Sequence, residues 1–383
     1  MLNFNFTQEQ DKLVSSIEDF ALKNLSHSLK ERDLKSEFDT KGWQACADFG
    51  IQGIFVAKKY GGQTEDPNLI NAVLAMEALG YGCKDAGLCF AISSQIWTVQ
   101  TAIEDFGSEE QKMRFLPAMC NGSLIACHAL TEPESGSDAF NLSSTATKVE
   151  GGYVLNGKKH LITSSPISNR ALIFAYTNKD HKEWGISAFF VDASSVGYTC
   201  TAKQKMGLRT VPIGEIELKD CFVPDSDRIG SEGAGMAMIN FSLEFDRSFI
   251  LAANLGMLKR QLEENISYAK TKKHKGQSIG KLHSVSSRIA NIKMKHELAK
   301  LLLYKIAWLK EQNKPALLEA SIFKLFLSES LIEASQDTLR NFGGNGYLTD
   351  YEIERDYRDV AATITYAGTS DIQRNVIANL IGL

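Results

Sequence analysis

No apolar run in this 383-residue chain is long enough to span a bilayer, so no membrane-crossing helix is expected. The opening MLNFNFTQEQDK lacks a basic segment followed by an apolar stretch, which argues against a signal peptide. The seven cysteines (Cys46, Cys83, Cys89, Cys120, Cys127, Cys200 and Cys221) are scattered, odd in number and without a CxxC pair. That pattern predicts reduced thiols in a cytoplasmic protein. The seven histidines form no HExxH set, so no metal site is expected. The net charge of −4 gives no reason to expect nucleic-acid binding. What remains, 44% hydrophobic and 23% charged residues, is the composition of a soluble globular protein with a sizeable core.

Only seven prolines occur, and few lie in the outer thirds of the chain, which read as helical. Thr7 and Gln10 form a T-x-x-Q capping box, and Leu13, Ile17 and Phe20 follow at helical spacing. From about Leu124 to Val223 the texture changes. YVLNGKKHLIT, ALIFAYT, GISAFFVDA and GEIELKDCFV are short, β-rich and separated by turn residues, as strands of an antiparallel sheet would be. Long helical patterns return after SEGAGMAM, with Ile289, Ile292, Ala299, Leu302 and Ile306 as one apolar stripe. No internal repeat or low-complexity linker interrupts this order. The expected fold class is α+β, with an N-terminal helical domain over 1–120, a central antiparallel β-domain over 121–230 and a C-terminal helical bundle over 231–383.

The segment ALTEPESGSD, Ala129 to Asp138, carries the strongest chemical signal. Its small residues let backbone approach a ligand, and Thr131 and Ser137 offer hydroxyl and amide donors. Alone it reads as a turn leaving a strand. It is followed in order by NGKKHLITSS (156–165), FDRSFILAANLG (245–256), NFGGNGYLTDYEIERDYRD (341–359) and TYAGTSDIQR (365–374). SEGAGMAM, with Gly233 and Gly235, has no βαβ unit around it and reads as a β-to-helix turn. The basic run Lys270, Lys272, Lys273, His274 and Lys275 reads first as a solvated helix end. Such a run would also suit an acidic partner.

From end to end, these five segments resemble the acyl-CoA dehydrogenases. The resemblance implies a C-terminal four-helix bundle and FAD bound between the bundle and the β-domain. It implies that His128, Leu130, Thr131, Gly136 and Ser137 lie along the flavin and its ribityl side, and that Thr163 bonds near flavin N5. Gly343, Gly344, Thr369 and Asp371 would serve the pyrophosphate and adenosine end. Glycine backbone and hydroxyl donors suit a phosphate-bearing cofactor. Ser137, Arg247, Ala367 and Gly368 would meet the substrate.

The chain departs from the family at four places. Leu161 stands where the family has a tryptophan beside the flavin. Lys272 replaces an arginine that reaches the neighbouring subunit's FAD, losing its bidentate fork. Arg340 replaces a glutamine. Ala367 replaces the glutamate that removes a proton from the substrate. Its backbone N–H can still polarise a thioester carbonyl, but alanine cannot be the base. Some members carry the base just before an arginine on the first long helix of the bundle, here Leu243-Glu244-Phe245-Asp246-Arg247. Register on Arg247 favours Asp246; reach favours Glu244, with one more methylene. On a regular helix the two point about 200° apart, so only one can face the flavin.

The displaced base implies a compact substrate. The resemblance is closest to flavoproteins that oxidise L-prolyl groups held on acyl or peptidyl carrier proteins. It also implies a homotetramer, with an electron-transfer flavoprotein or O2 as acceptor. Two other expectations stand beside it: a dehydrogenase of short branched acyl-CoA, and a scaffold that kept the fold without catalysis.

Overall fold

The computed structural model describes residues 5–383. Its first helix, Gln8–Asn24, begins at the expected capping box: the Gln10 amide N–H donates to Thr7 Oγ1 at 3.2 Å, and the Thr7 N–H to Gln10 Oε1 at 3.0 Å. Further helices follow at Leu69–Gly82, Ala86–Ser94 and Glu109–Cys120, with a π-helical turn at Gln95–Gln100.

The central sheet comprises β1 Ala126–Ala129, β2 Thr145–Val149, β3 Gly152–Thr163, β4 Arg170–Tyr176, β5 Ile186–Asp192, β6 Tyr198–Lys203, β7 Ile213–Pro224 and β8 Arg228–Ile229. Its order is β6-β7-β3-β2-β4-β5-β8, with β1 on β4. Most pairings are antiparallel, as expected, but β1–β4 and β2–β4 are parallel. A parallel neighbour needs a crossover, and the β2–β3 excursion between β1 and β4 supplies one. SEGAGMAM is the β-to-helix turn, with Gly233 at φ +84° and a helix starting at Gly235.

The C-terminal part has four antiparallel layers of helix. Gly235–Phe249 and Ala252–Thr271 form one broken rod, followed by His283–Glu311, Leu317–Phe342 and Ser370–Leu380. Ile292, Ala299 and Ile306 of the apolar stripe are fully buried, and Ile289 and Leu302 pack at its margin. The N-terminal helices share this core: Ile17, Leu79, Trp97, Phe249, Leu303 and Phe323 belong to one apolar cluster. Each such side chain contributes roughly 1.5–3 kcal/mol.

Two helices meet backbone to backbone at this junction. A Cβ on Gly256 would lie 1.9 Å from the Glu77 carbonyl oxygen, and one on Gly80 1.8 Å from that of Ala253. Only glycine allows this approach, and it fixes where the rod stands against the Leu69–Gly82 helix.

Candidate active site

The roll of the Gly235–Phe249 helix is set by aromatic packing. Phe241, Phe245 and Phe249 stack at i, i+4 spacing, with centroids 4.8 and 5.9 Å apart. Phe249 packs 5.0 Å from Trp97 in the π-helical turn. With Phe245 held on this face, Glu244 and Asp246 are turned about 100° to either side of it.

The Glu244 side meets the His283–Glu311 helix, where Lys310 Nζ lies 2.6 Å from Glu244 Oε1 and 4.5 Å over the Phe245 ring. The Asp246 side is half-buried, and its carboxylate has neither a hydrogen bond nor an ion pair among the described residues. Burial pushes the Asp246 carboxyl up to about 7, against the pull of Lys324 and Arg247. Burial also raises the Tyr366 hydroxyl, and the Asp246 charge adds to it, so the two groups are neighbours. Arg247 Nε is buried without a hydrogen-bond partner.

The 366–374 turn completes this side. Ala367 has φ +54° and Gly368 φ +79°. Gln373 Nε2 donates to both of their carbonyl oxygens, at 2.9 and 3.1 Å. The Ala367 N–H has no acceptor among the described residues. A Cβ on Gly368 would strike Gln373 Nε2 at 2.6 Å and stand 3.7 Å from Arg247 Nε, so glycine brings the turn against Arg247. Thr369 caps the last helix, accepting from the Ile372 N–H at 3.2 Å, and Asp371 pairs with Arg374 at 3.0 Å.

A second group of expected residues lies in the loop 130–138. Lys159, fully buried, donates to Leu130 O at 3.2 Å, Phe174 O at 2.7 Å and Glu132 Oε1 at 2.7 Å. Glu132 also accepts from the Ser143 and Ser144 amides. Burial would raise the Glu132 carboxyl, but Lys159 and these donors hold it below its ordinary value. The His160 N–H donates to Thr131 O at 2.8 Å, tying the loop to β3. Gly136 and Ser137 are exposed, and a Cβ on Gly136 would meet nothing within 4 Å. The His128 ring packs 5.1 Å from Phe174; burial, then Lys159, lowers it to about 4, so it is neutral.

The β3–β7 register slips between Lys159 and Ile162, and there Leu161 protrudes at φ +56° with 56% of its surface exposed. A bulge re-aims a side chain in this way. Leu161 and Thr163 border a cavity of about 390 Å³ that also takes in Phe90, Lys205, Arg358 and Tyr366. An apolar side chain left facing a cavity beside a hydroxyl and an open loop suits the flat face of a flavin.

The remaining expected cofactor residues gather elsewhere. Lys272 is exposed at the end of the Ala252–Thr271 helix, and the basic run continues into a small exposed hairpin. Arg340 pairs with Asp337 at 3.2 Å, and Gly343 and Gly344 face open space. Tyr268 stacking on Phe342 at 3.9 Å holds these two helix ends together. None of the four lines the cavity beside Thr163. The structure therefore brings together the 130–137 loop with β3, and Asp246 with Arg247 and the 366–368 turn, but leaves Lys272, Arg340, Gly343 and Gly344 apart.

Phe90, Lys205, Tyr366, Arg358 and Lys324 escaped the motif reading. Of these, Arg358 and Tyr366 stood inside motif segments without a role of their own, and a buried lysine such as Lys324 has no local signature. The Phe241/Phe245/Phe249 period was the available signal for the helix roll.

Three family profiles match in order: the acyl-CoA dehydrogenase N-terminal domain over residues 7–123, the middle domain over 127–221 and the C-terminal domain over 233–382. The chain is 35% identical to the L-prolyl-[peptidyl-carrier protein] dehydrogenase of Pseudomonas fluorescens, covering 100% of both. It is 34% identical to the protein of the same name from Serratia, covering 100% of the chain and 99% of that protein. Among solved structures, the prolyl acyl carrier protein oxidase AnaB superposes with a TM-score of 0.97 at 40% identity, covering 99% of this chain and all of that one. PigA with FAD and proline superposes at 0.96 and 34% identity over the whole of both chains.

Proposed function

We propose that this protein, which belongs to the acyl-CoA dehydrogenase family, oxidises an L-prolyl group held as a thioester on a carrier protein, removing two electrons with FAD. The observation that carries this reading is Asp246: a half-buried carboxylate with no hydrogen bond or ion pair among the described residues, beside Arg247 and the turn where Ala367 takes the place of the family's glutamate. In this reading Asp246 removes the proton from the carbon next to the thioester carbonyl. The unpartnered Ala367 N–H donates to the carbonyl oxygen and stabilises the charge that develops there. Arg247 steadies the Gly368 turn from the other side. Glu244 has the longer reach, but its tie to Lys310 and its place across the Phe245 stripe favour Asp246.

FAD, when bound, supplies the hydride acceptor. Leu161, Thr163 and the 130–137 loop would hold its ring and ribityl end. Lys272, Arg340, Gly343 and Gly344 lie off that cavity, which supports a site completed by a second copy and hence the expected homotetramer. Sedimentation of the yellow protein tests this, and a stable, FAD-saturated monomer contradicts it.

The substrate choice is supported by the names of the relatives and by the cavity. Phe90 and Tyr366, which both border it, pack at 4.6 Å. Such an aromatic wall suits a small ring better than a long flexible chain. The test is anaerobic mixing of the purified protein with prolyl-loaded carrier protein, followed by mass analysis of the tethered product. Flavin bleaching with loss of two hydrogens from the prolyl group is expected. Bleaching by short branched acyl-CoA but not by the prolyl thioester contradicts the assignment, and a protein that refuses FAD returns the scaffold reading.

A further inference from the structure

We propose that Lys324 is a positioning residue for the base, anchoring the 361–366 segment while presenting its ammonium to Asp246 from the facing helix. This rests on the assignment of Asp246 as the base. Lys324 lies in the Leu317–Phe342 helix and exposes none of its surface. Its Nζ donates to the Thr363 carbonyl at 2.6 Å, and Ser328 Oγ donates to the same oxygen at 3.0 Å. Thr363 Oγ1 donates in turn to Val360 O at 2.7 Å. The segment leading to the substrate turn is thus pinned at Thr363, and the same Nζ lies 5.4 Å from the centre of the Tyr366 ring.

An ammonium has three donors, and only one has a partner among the described residues. No carboxylate of the described residues touches it. A carbonyl anchor alone would be served by a neutral donor, and an enclosed unpaired charge is costly to keep. The charged groups that bear on Lys324 are Asp246 and Arg247 from the Gly235–Phe249 helix and Glu329 from its own. Those that bear on Asp246 are Lys324 and Arg247, with the Tyr366 hydroxyl also near it. Burial lowers the Lys324 ammonium to about 8, with Asp246 working against that fall. Burial works against the charged form of Asp246, and a protonated acid accepts no proton. The Lys324 charge opposes this without forming the contact ion pair that would hold the carboxylate away from substrate.

The test is the pH dependence of anaerobic flavin reduction by prolyl-carrier protein in Lys324→Met, which keeps length and loses charge, and in Lys324→Arg. In the Met variant the acid limb should move to higher pH by about one unit or more, with the rate recovering at high pH. The Arg variant should restore the wild-type midpoint. A uniformly lower rate with an unmoved midpoint in the Met variant overturns the inference. Asp246→Asn, run alongside, separates the two claims. If that variant reduces flavin at the wild-type rate, the assignment of the base fails. If it is inactive while Lys324→Met keeps the wild-type midpoint, only the role of Lys324 fails. A second readout needs no turnover: carbon-13 titration of aspartate-labelled apoprotein, with Asp246→Asn identifying the signal, should show a raised midpoint in Lys324→Met. An unmoved midpoint there also overturns the proposal. If the Met variant does not fold, Lys324→Gln replaces it in both measurements.

Discussion

Lys159 and Lys324 are both fully buried lysines, and burial draws both ammonium groups down to about 8, yet their surroundings differ. Lys159 has a partner for each of its three donors, including the contact ion pair with Glu132. Among the described residues Lys324 has one carbonyl partner and no ion pair, though the Asp246 charge still bears on it. A satisfied pair is a fastening: it holds the 130–138 loop against β3 and β4. An unsatisfied set is poised: Asp246, Arg247 and the Ala367 N–H all retain capacity for a ligand. The same residue types thus leave one cluster fully paired and the other with free hydrogen-bonding capacity.

Breaking the fastening should have the largest effect on stability. Lys159→Met leaves the Glu132 carboxylate buried without its charge partner, a loss expected to cost roughly 3–5 kcal/mol. Denaturant titration checks this, with FAD release expected before global unfolding. A midpoint equal to that of the wild type would mean that the pair fastens nothing.

The poised side should appear in the pH profile. Asp246 must be a carboxylate to accept a proton, and its carboxyl is raised to about 7. Flavin reduction should therefore rise with pH through about 7 and level above it, falling about tenfold for each unit below. A flat profile between pH 5 and 8 would remove Asp246 from the proton transfer.

The smallest effect is expected where a carboxylate is added. Ala367→Glu restores the family's residue but should not raise the rate on the prolyl thioester. A second carboxylate near Asp246 raises both of their pKa values and disfavours the charged base. A large gain in flavin bleaching would place the working base on the turn.

Much of this contrast was written in the sequence, and the reason differs by residue. Thr131, Gly136, Thr163, Gly343 and Gly368 stood out in the sequence because small side chains and hydroxyls at turns form short local motifs; their roles toward a cofactor belong to the proposal. The order of helices, strands and helices was legible from periodicity. The choice between Glu244 and Asp246 was not, because one residue of helix rotation decides it. That rotation is fixed by Phe241, Phe245 and Phe249 against Trp97, far away in the chain. Lys324 was hidden for a related reason: a lysine within an amphipathic helix reads as solvent-facing until its neighbours are known. The separation of Gly343 and Gly344 from Thr163 is likewise a property of packing.

The account turns on which carboxylate takes the proton, and stopped-flow bleaching of the flavin decides it. Asp246→Asn and Glu244→Gln are each mixed anaerobically with saturating prolyl-carrier protein, since an amide keeps shape while removing basicity. Asp246→Asn should lose roughly two to four orders of magnitude in reduction rate, while Glu244→Gln stays close to the wild type. A normal rate for Asp246→Asn with an inactive Glu244→Gln would contradict the account.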